Sequence, residues 1–343
     1  MDALKTLRFM VLCAAFAACG DSTVHVGSRN KFTWPFSAQS IWNSPIGSAA
    51  KFAPAAITPV EVVSLSPSFL IQITATDPMR PLLAPAGGSD RCAGTQMLGV
   101  IQLPQDFVLP AGQNASPGNS LAIVQPDGHS LIEISGFARC IAGGPAYGFR
   151  YPDSDLYGDG RLGGQGGSGL SSLGGALVKG ELTNGLPVRH ALKVSLSAKK
   201  YYFENPALTE ACFRWPADRC DAGHASSFGG MNPELAMGAL LALPPTVRVD
   251  GLGLESVAGR AMFQTLQDYG AYVVGDAAVD RAIWGIEFSA RTSFNERPGA
   301  ERAAWERDVN RLLPLLQVVT NNGPTSVGGG GVPRKPLAPP IGN

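Results

Sequence analysis

Leu121-Ala-Ile-Val124, Gln125-Pro-Asp-Gly-His129 and Leu131-Ile-Glu-Ile134 form the stretch from which the fold is read. Two runs rich in Ile, Val and Leu flank five residues in which Pro126 presets φ and Gly128 accepts φ > 0, so a β-hairpin is predicted. Working outward, residues 60–64, 70–74, 190–196, 271–274, 282–288 and 315–320 share the enrichment in Val, Ile and aromatic residues and read as further strands. Helix signals are few. Residues 232–242 start at Asn232 with Pro233 in the first helical position and stop before Pro244. Residues 257–269 end at Gly270, a natural helix terminator, and 302–312 space Trp305, Val309 and Leu312 along one face. Helices and strands do not alternate, which disfavours a doubly wound parallel sheet. The expected fold is mainly β: an antiparallel β-sandwich, jelly-roll-like, with a few short covering helices and long Gly-rich loops.

Composition narrows the function classes. The 27 Lys and Arg balance 27 Asp and Glu, so no global field attracts nucleic acid or an anionic bilayer, and no nucleic-acid partner is expected. Charged residues make up 16% of the chain against roughly 25% in ordinary soluble domains, while 45% hydrophobic content supplies a core and excludes overall disorder. With 42 Gly and 27 Pro among 343 residues, a turn-rich protein is expected.

Residues 1–18 carry Lys5 and Arg8 before the apolar run Phe9 to Ala18, the layout of an export signal. The run is shorter than the roughly 20 apolar residues that a membrane span requires. Phe16-Ala17-Ala18-Cys19 resembles the lipobox of bacterial lipoproteins, with Phe16 in place of the usual Leu. That resemblance implies lipidation of Cys19 and anchoring at the outer membrane or cell surface. Cleavage by ordinary signal peptidase, giving a periplasmic or secreted protein, is the alternative. The expected organisation is a signal peptide at 1–18, a tether at 19–31, one β-rich domain at 32–322 and a Gly/Pro-rich tail at 323–343.

Four cysteines then remain, Cys92, Cys140, Cys212 and Cys220, and an even number of thiols in an exported chain suggests two disulfides. Three pairings are open. Cys212–Cys220, closing a short loop, and Cys92–Cys140, tying a loop to a strand end, are the favoured set. A metal site is the alternative, although no C-x-x-C spacing is present.

The densest anomaly is the 158–175 segment, with nine glycines in 18 residues. Such a segment loses much conformational entropy on folding, so order there implies close backbone packing or a ligand. It reads either as a loop packed over the body or as a substrate-lining loop with Gln165 and Ser168, to which Trp42 would add a stacking face. Asp153, Asp155 and Asp159 offer hard oxygen ligands for Ca²⁺, though without EF-hand spacing; solvated turn carboxylates are the other reading. In a strand at 190–196, His190 shares a face with Leu192, Val194 and Leu196 while Arg189 faces the other way, so His190 is either a core-edge histidine or a cleft group.

Ser40-Ile-Trp42-Asn43-Ser-Pro45-Ile46, the glycine block, Arg189-His190-Ala-Leu-Lys193 and Gln267-Asp-Tyr-Gly-Ala-Tyr-Val-Val274 resemble segments of exported bacterial proteins, a resemblance that brings no catalytic residues. The general look is also similar to jelly-roll polysaccharide-active enzymes. The resulting expectation is a surface protein acting on extracellular polysaccharide. For uronate β-elimination the nominees are Arg189, His190 and Tyr202, and for hydrolysis the carboxylates Glu181 and Asp159. A non-catalytic glycan-binding or structural lipoprotein is the rival class. Oligomeric state is not readable from the chain.

Overall fold

The computed structural model describes residues 27–86, 91–109, 119–182, 188–204, 212–287 and 299–342. In chain order the strands are β1 (Phe52–Pro54), β2 (Val62–Gln72), β3 (Met79–Leu83), β4 (Met97–Gln102), β5 (Ser120–Val124), β6 (Ser130–Ala138), β7 (Ala146–Arg150), β8 (Ser154–Asp155), β9 (Leu192–Leu196), β10 (Leu240–Ala242), β11 (Ala271–Asp276), β12 (Arg281–Glu287) and β13 (Gln317–Val319). The helices are α1 (Ala198–Tyr201), α2 (His224–Ser227), α3 (Val257–Asp268) and α4 (Gly299–Leu312). The protein is thus mainly β. The segment expected to be a signal peptide, Cys19 and most of the expected tether lie outside the described residues. Among the described residues no helix is long and apolar enough to cross a membrane.

The hairpin forms as β5 and β6, antiparallel with Leu121 opposite Ile134 and Val124 opposite Leu131. The Gly128 N–H donates to the Gln125 carbonyl, and Asp127 accepts from the Ser130 N–H and hydroxyl, which fixes the turn.

The expected antiparallel sandwich is corrected to one mixed sheet of 13 strands, in the order β1-β13-β10-β11-β9-β12-β2-β5-β6-β7-β3-β4 with β8 beside β6. Parallel pairing joins β9 to β11, β12 to β2, β2 to β5 and β3 to β7. Strand β2 spans both extended runs expected at 60–64 and 70–74. It passes Pro67 at the point where its pairing extends from β12 on one side to β5 on the other.

Every residue of β5 and β9 is buried, as expected of strands covered on both faces. On one face Leu192, Val194 and Leu196 join Val273, Trp284, α3 and α4 in a large core. Phe69, Leu121, Ile123, Ile132 and Ile134 form a second core on the β2–β7 half of the sheet. Ala122, Val124, Leu131, Tyr272 and Val274 face a third core, closed by Phe36, Ile41, Trp42 and Leu170.

Helices α3 and α4 match the expected segments. The Ser256 hydroxyl caps α3 by accepting from the Gly259 N–H, and buried Asp308 of α4 accepts from the Ser256 N–H and hydroxyl. The helix expected at 232–242 is absent. Asn232 does accept the Glu234 N–H, but Gly238, at φ +85°, donates to Val273, and Leu240–Ala242 becomes β10. Pairing to β11 and β13 overrides the local helix signal. Both favoured disulfides, Cys92–Cys140 and Cys212–Cys220, are present.

Residues 323–342 do not hang free. The Gly47 N–H donates to Gly328, Ser48 to Val332, Ala49 to Gly330 and Arg29 to Pro340, while Arg334 donates to Ile46. A Cβ on Gly47 would lie 1.9 Å from the Gly330 carbonyl oxygen, so glycine permits this backbone-on-backbone approach. Deleting residues 323–343 is therefore expected to destabilise the protein by about 3 kcal/mol or more, at about 1 kcal/mol per net hydrogen bond, read by urea denaturation. A free tail would leave the midpoint unchanged.

Candidate functional site

At the entrance to β9 a turn brings two of the nominated residues together. The Val178 N–H donates to the Glu181 carboxylate at 2.8 Å, and the Glu181 N–H donates back to the Val178 carbonyl. This closes the turn and sets Glu181 Oε1 3.2 Å from His190 Nε2. The other ring nitrogen, Nδ1, lies 2.9 Å from the Ala191 carbonyl. With an acceptor at each nitrogen, the doubly protonated ring satisfies both. Burial alone would lower the His190 pKa, but the Glu181 charge and the hydrogen bonds outweigh it and the pKa is raised. The pair is secluded, with side chains 7% and 20% exposed.

Arg189 is exposed and turns the other way, its guanidinium 5.8 Å from the centre of the Trp34 ring, which Arg29 also approaches at 5.4 Å. Burial and the neighbouring Asp268 push the Tyr269 hydroxyl up to about 12, while Arg189 pulls it down. Arg334 and Lys335 meet the buried Asp268 carboxylate nearby. Cations thus collect beside Trp34 and around Asp268 and Tyr269.

The remaining nominees do not join them. Tyr202 is fully buried; its hydroxyl donates to the Gly275 carbonyl at 2.6 Å and accepts the Leu196 N–H at 2.8 Å, and burial raises its pKa well above the ordinary value. Asp159 is exposed and accepts the Arg161 N–H in its own turn. Trp42 is 1% exposed, donates to Gly160 and packs edge-on against Tyr272, so it is a core side chain and offers no stacking face. Ser168 is fully buried and its hydroxyl accepts the Leu170 N–H, while Gln165 is half-buried within the glycine block.

The three aspartates expected to hold Ca²⁺ diverge. Asp153 pairs with Arg150 at 2.7 Å, Asp155 with His129 at 3.2 Å, and Asp159 caps its turn, so they do not make a Ca²⁺ cage. Among the described residues, only Cys212, Cys220 and His224 gather as a trio of ligand-type atoms, and there the two sulfurs are bonded to each other.

A second polar cluster lies beneath the glycine block, in a row across β9, β12, β2, β5 and β6. Lys193 on β9 is 3% exposed, and its side chain runs over Gly285 of β12; a Cβ there would lie 2.1 Å from Lys193 Cε. Its ammonium reaches β2, where Nζ is 3.0 Å from Ser68 Oγ, and it also donates to the Ser172 carbonyl. Ser68 is the register partner of Ser120 on β5, whose hydroxyl donates to the Gly164 carbonyl at 3.1 Å.

At the far end Glu133, fully buried on β6, accepts from the Gly164 N–H at 2.6 Å, the Ser171 hydroxyl at 2.7 Å, and the Ser172 N–H and hydroxyl at 2.5 and 2.7 Å. Burial drives Lys193 down to about 7, partly opposed by the Glu133 charge. The signal for this cluster was present in the chain as an acid within Leu131-Ile-Glu-Ile134 and a lysine within a buried-strand pattern. Alternation sets Lys193 on the face opposite Leu192 and Val194 but does not show what covers it, because the roof over it belongs to a segment with no strand signal.

Comparison with family models, curated proteins and solved structures gave no match to this chain.

Glu133→Gln removes the charge that gathers these donors and is expected to destabilise by about 3 kcal/mol or more, measured by urea denaturation. For His190 the folded pKa lies above its unfolded value. The stabilisation is therefore complete below the unfolded pKa and is lost as pH rises through the folded one. Glu181→Gln should accordingly cost about 1–3 kcal/mol at pH 6 and less at pH 9 in the same assay.

Proposed function

We propose that the protein is exported, anchored by lipid at Cys19, and works on acidic extracellular polysaccharide. In this reading Arg189 reads the uronate carboxylate and His190 with Glu181 forms the acid–base unit. The observation that carries it is the placement of an exposed guanidinium beside Trp34, one residue from an imidazole held 3.2 Å from a carboxylate. The two disulfides fit a non-reducing compartment, which supports export. The reading rests on these residues and needs no jelly-roll layering.

Glu181 and the Ala191 carbonyl keep the His190 ring charged and oriented, and the ring would protonate a leaving glycosidic oxygen once that oxygen takes the place of the Glu181 carboxylate at Nε2. Elimination loses its nominated base because the Tyr202 hydroxyl is sealed in the core, and hydrolysis loses its second carboxylate because Asp159 stands apart in its own turn, so the His190–Glu181 pair is what either reaction would use. One observation favours a second reading, non-catalytic glycan binding: the acid–base pair is secluded while Arg189 stands on the surface.

The deciding experiment incubates the exported protein with a panel of neutral and uronate-containing polysaccharides. It follows reducing ends, absorbance of unsaturated uronates, and retention on immobilised glycan. New reducing ends are expected, unsaturated product marking elimination and its absence hydrolysis, with Glu181→Gln lowering kcat about 10²-fold or more and Arg189→Ala raising KM about tenfold. Retention without turnover, abolished by Arg189→Ala, would establish the binding module. Neither turnover nor retention on any glycan would overturn both.

A further inference from the structure

The row beneath the glycine block contains a nucleophile and a base that the polysaccharide reading does not use. Lys193 reaches two strands across the sheet, over the gap left by Gly285, and its Nζ stops 3.0 Å from Ser68 Oγ. Antiparallel register sets Lys193 opposite Gly285, continuing the pairs of Ile283 with Ser195 and Trp284 with Val194, and Gly285 in turn pairs with Ser66 on β2. Lys193, Ser66 and Ser68 therefore share one face.

Among the described residues the ammonium forms no ion pair. Its partners are the neutral Ser68 hydroxyl and the Ser172 carbonyl, while the Glu133 carboxylate is occupied by four donors from the glycine block. A buried lysine among neutral partners is stabilised in its uncharged form, which can accept a hydroxyl proton. Glu133 acts as a positioning residue, since it fixes Ser172 and, through its carbonyl, the place of Nζ.

We propose that Ser68 and Lys193 form a serine–lysine dyad that cleaves carboxylic esters, a further activity independent of the glycan reading. The arrangement follows the general pattern of a serine hydroxyl activated by an adjacent base, in the variant where lysine replaces histidine. In the first step Ser68 Oγ attacks the ester carbonyl carbon, forming the C–O bond as neutral Lys193 Nζ takes the hydroxyl proton. The tetrahedral intermediate collapses, the bond to the alkoxy oxygen breaks, and Lys193 returns the proton to that leaving oxygen, releasing the alcohol. Water then attacks the acyl-Ser68 ester, giving its proton to Lys193. Collapse expels Ser68, which recovers the proton, and the carboxylic acid leaves. The balance is ester plus water to acid plus alcohol, with no change of oxidation state. Ser68 is only 5% exposed, so the smallest acyl group, acetyl, is the one with which the dyad is tested.

The test treats the whole protein with p-nitrophenyl acetate, reads p-nitrophenolate release, and locates any acetyl group by peptide mass mapping. Ser68→Ala deletes one hydroxyl and leaves the packing in place; circular dichroism and a thermal melt check its fold, which keeps the test valid if Lys193→Met unfolds. Turnover in the native protein, acetyl on Ser68 and a loss of about 10³-fold or more in Ser68→Ala are expected. Native protein no faster than buffer, a folded Ser68→Ala variant with undiminished rate, or acetyl found only at other residues would each overturn the dyad. Because the probe contains no sugar, failure here leaves the polysaccharide reading untouched, and failure on the glycan panel leaves this one untouched.

Discussion

A single carboxylate organises the glycine-rich part of this protein. Glu133, fully buried in the middle of β6, is met by two backbone N–H groups and two serine hydroxyls of the 158–175 segment. Burying a carboxylate is unfavourable by several kcal/mol unless donors replace the lost water, and here four donors do so. The arrangement works in both directions: the loop satisfies the charge, and the charge fixes a loop that has nearly no side chains with which to hold itself. Lys193 completes the set from the opposite side by capping the Ser172 carbonyl.

This explains why the loop is glycine-rich. A Cβ on Gly163 would lie 2.4 Å from a Glu133 oxygen, and one on Gly174 would lie 2.1 Å from the Trp42 ring nitrogen. The conformational entropy lost by ordering glycines is offset by hydrogen bonds and ring packing that larger residues would block. Of the two readings open for this segment, packing over the body describes most of it, and the same packing brings Ser172 to Lys193.

Much of the local structure was legible in the chain. The turn chemistry of Pro126 and Gly128 marks the hairpin, Gly270 marks the end of α3, and the spacing of Trp305, Val309 and Leu312 marks α4. The favoured cysteine pairing matches the bonds present. Part of the candidate site was legible too: Glu181 and His190, nominated for different reactions, meet, whereas residues 189–190 form a bend before β9, so strand parity does not govern Arg189. What escaped depended on partners distant in sequence. The Asn232 signal is locally sound, but the ladder to β11 and β13 prevails. Tyr202 carries the right functional group, yet its hydroxyl is consumed by Gly275 and Leu196. Trp42 has the right ring, with the glycine block packed against it.

The sequence by itself determined the β-rich class, the main turns and the two long helices, because these arise from φ preferences, capping and side-chain period within a dozen residues. It also set the charge balance and the cysteine inventory. Only the tertiary structure decided that the strands form one mixed sheet, that the C-terminal segment packs on Ile46 and Gly47, and that Lys193, Ser68 and Glu133 lie in one row. The physical reason is that burial and charge pairing depend on which surfaces cover a strand. Those surfaces come from segments such as 158–175 and 323–342, whose own residues carry no periodic signal.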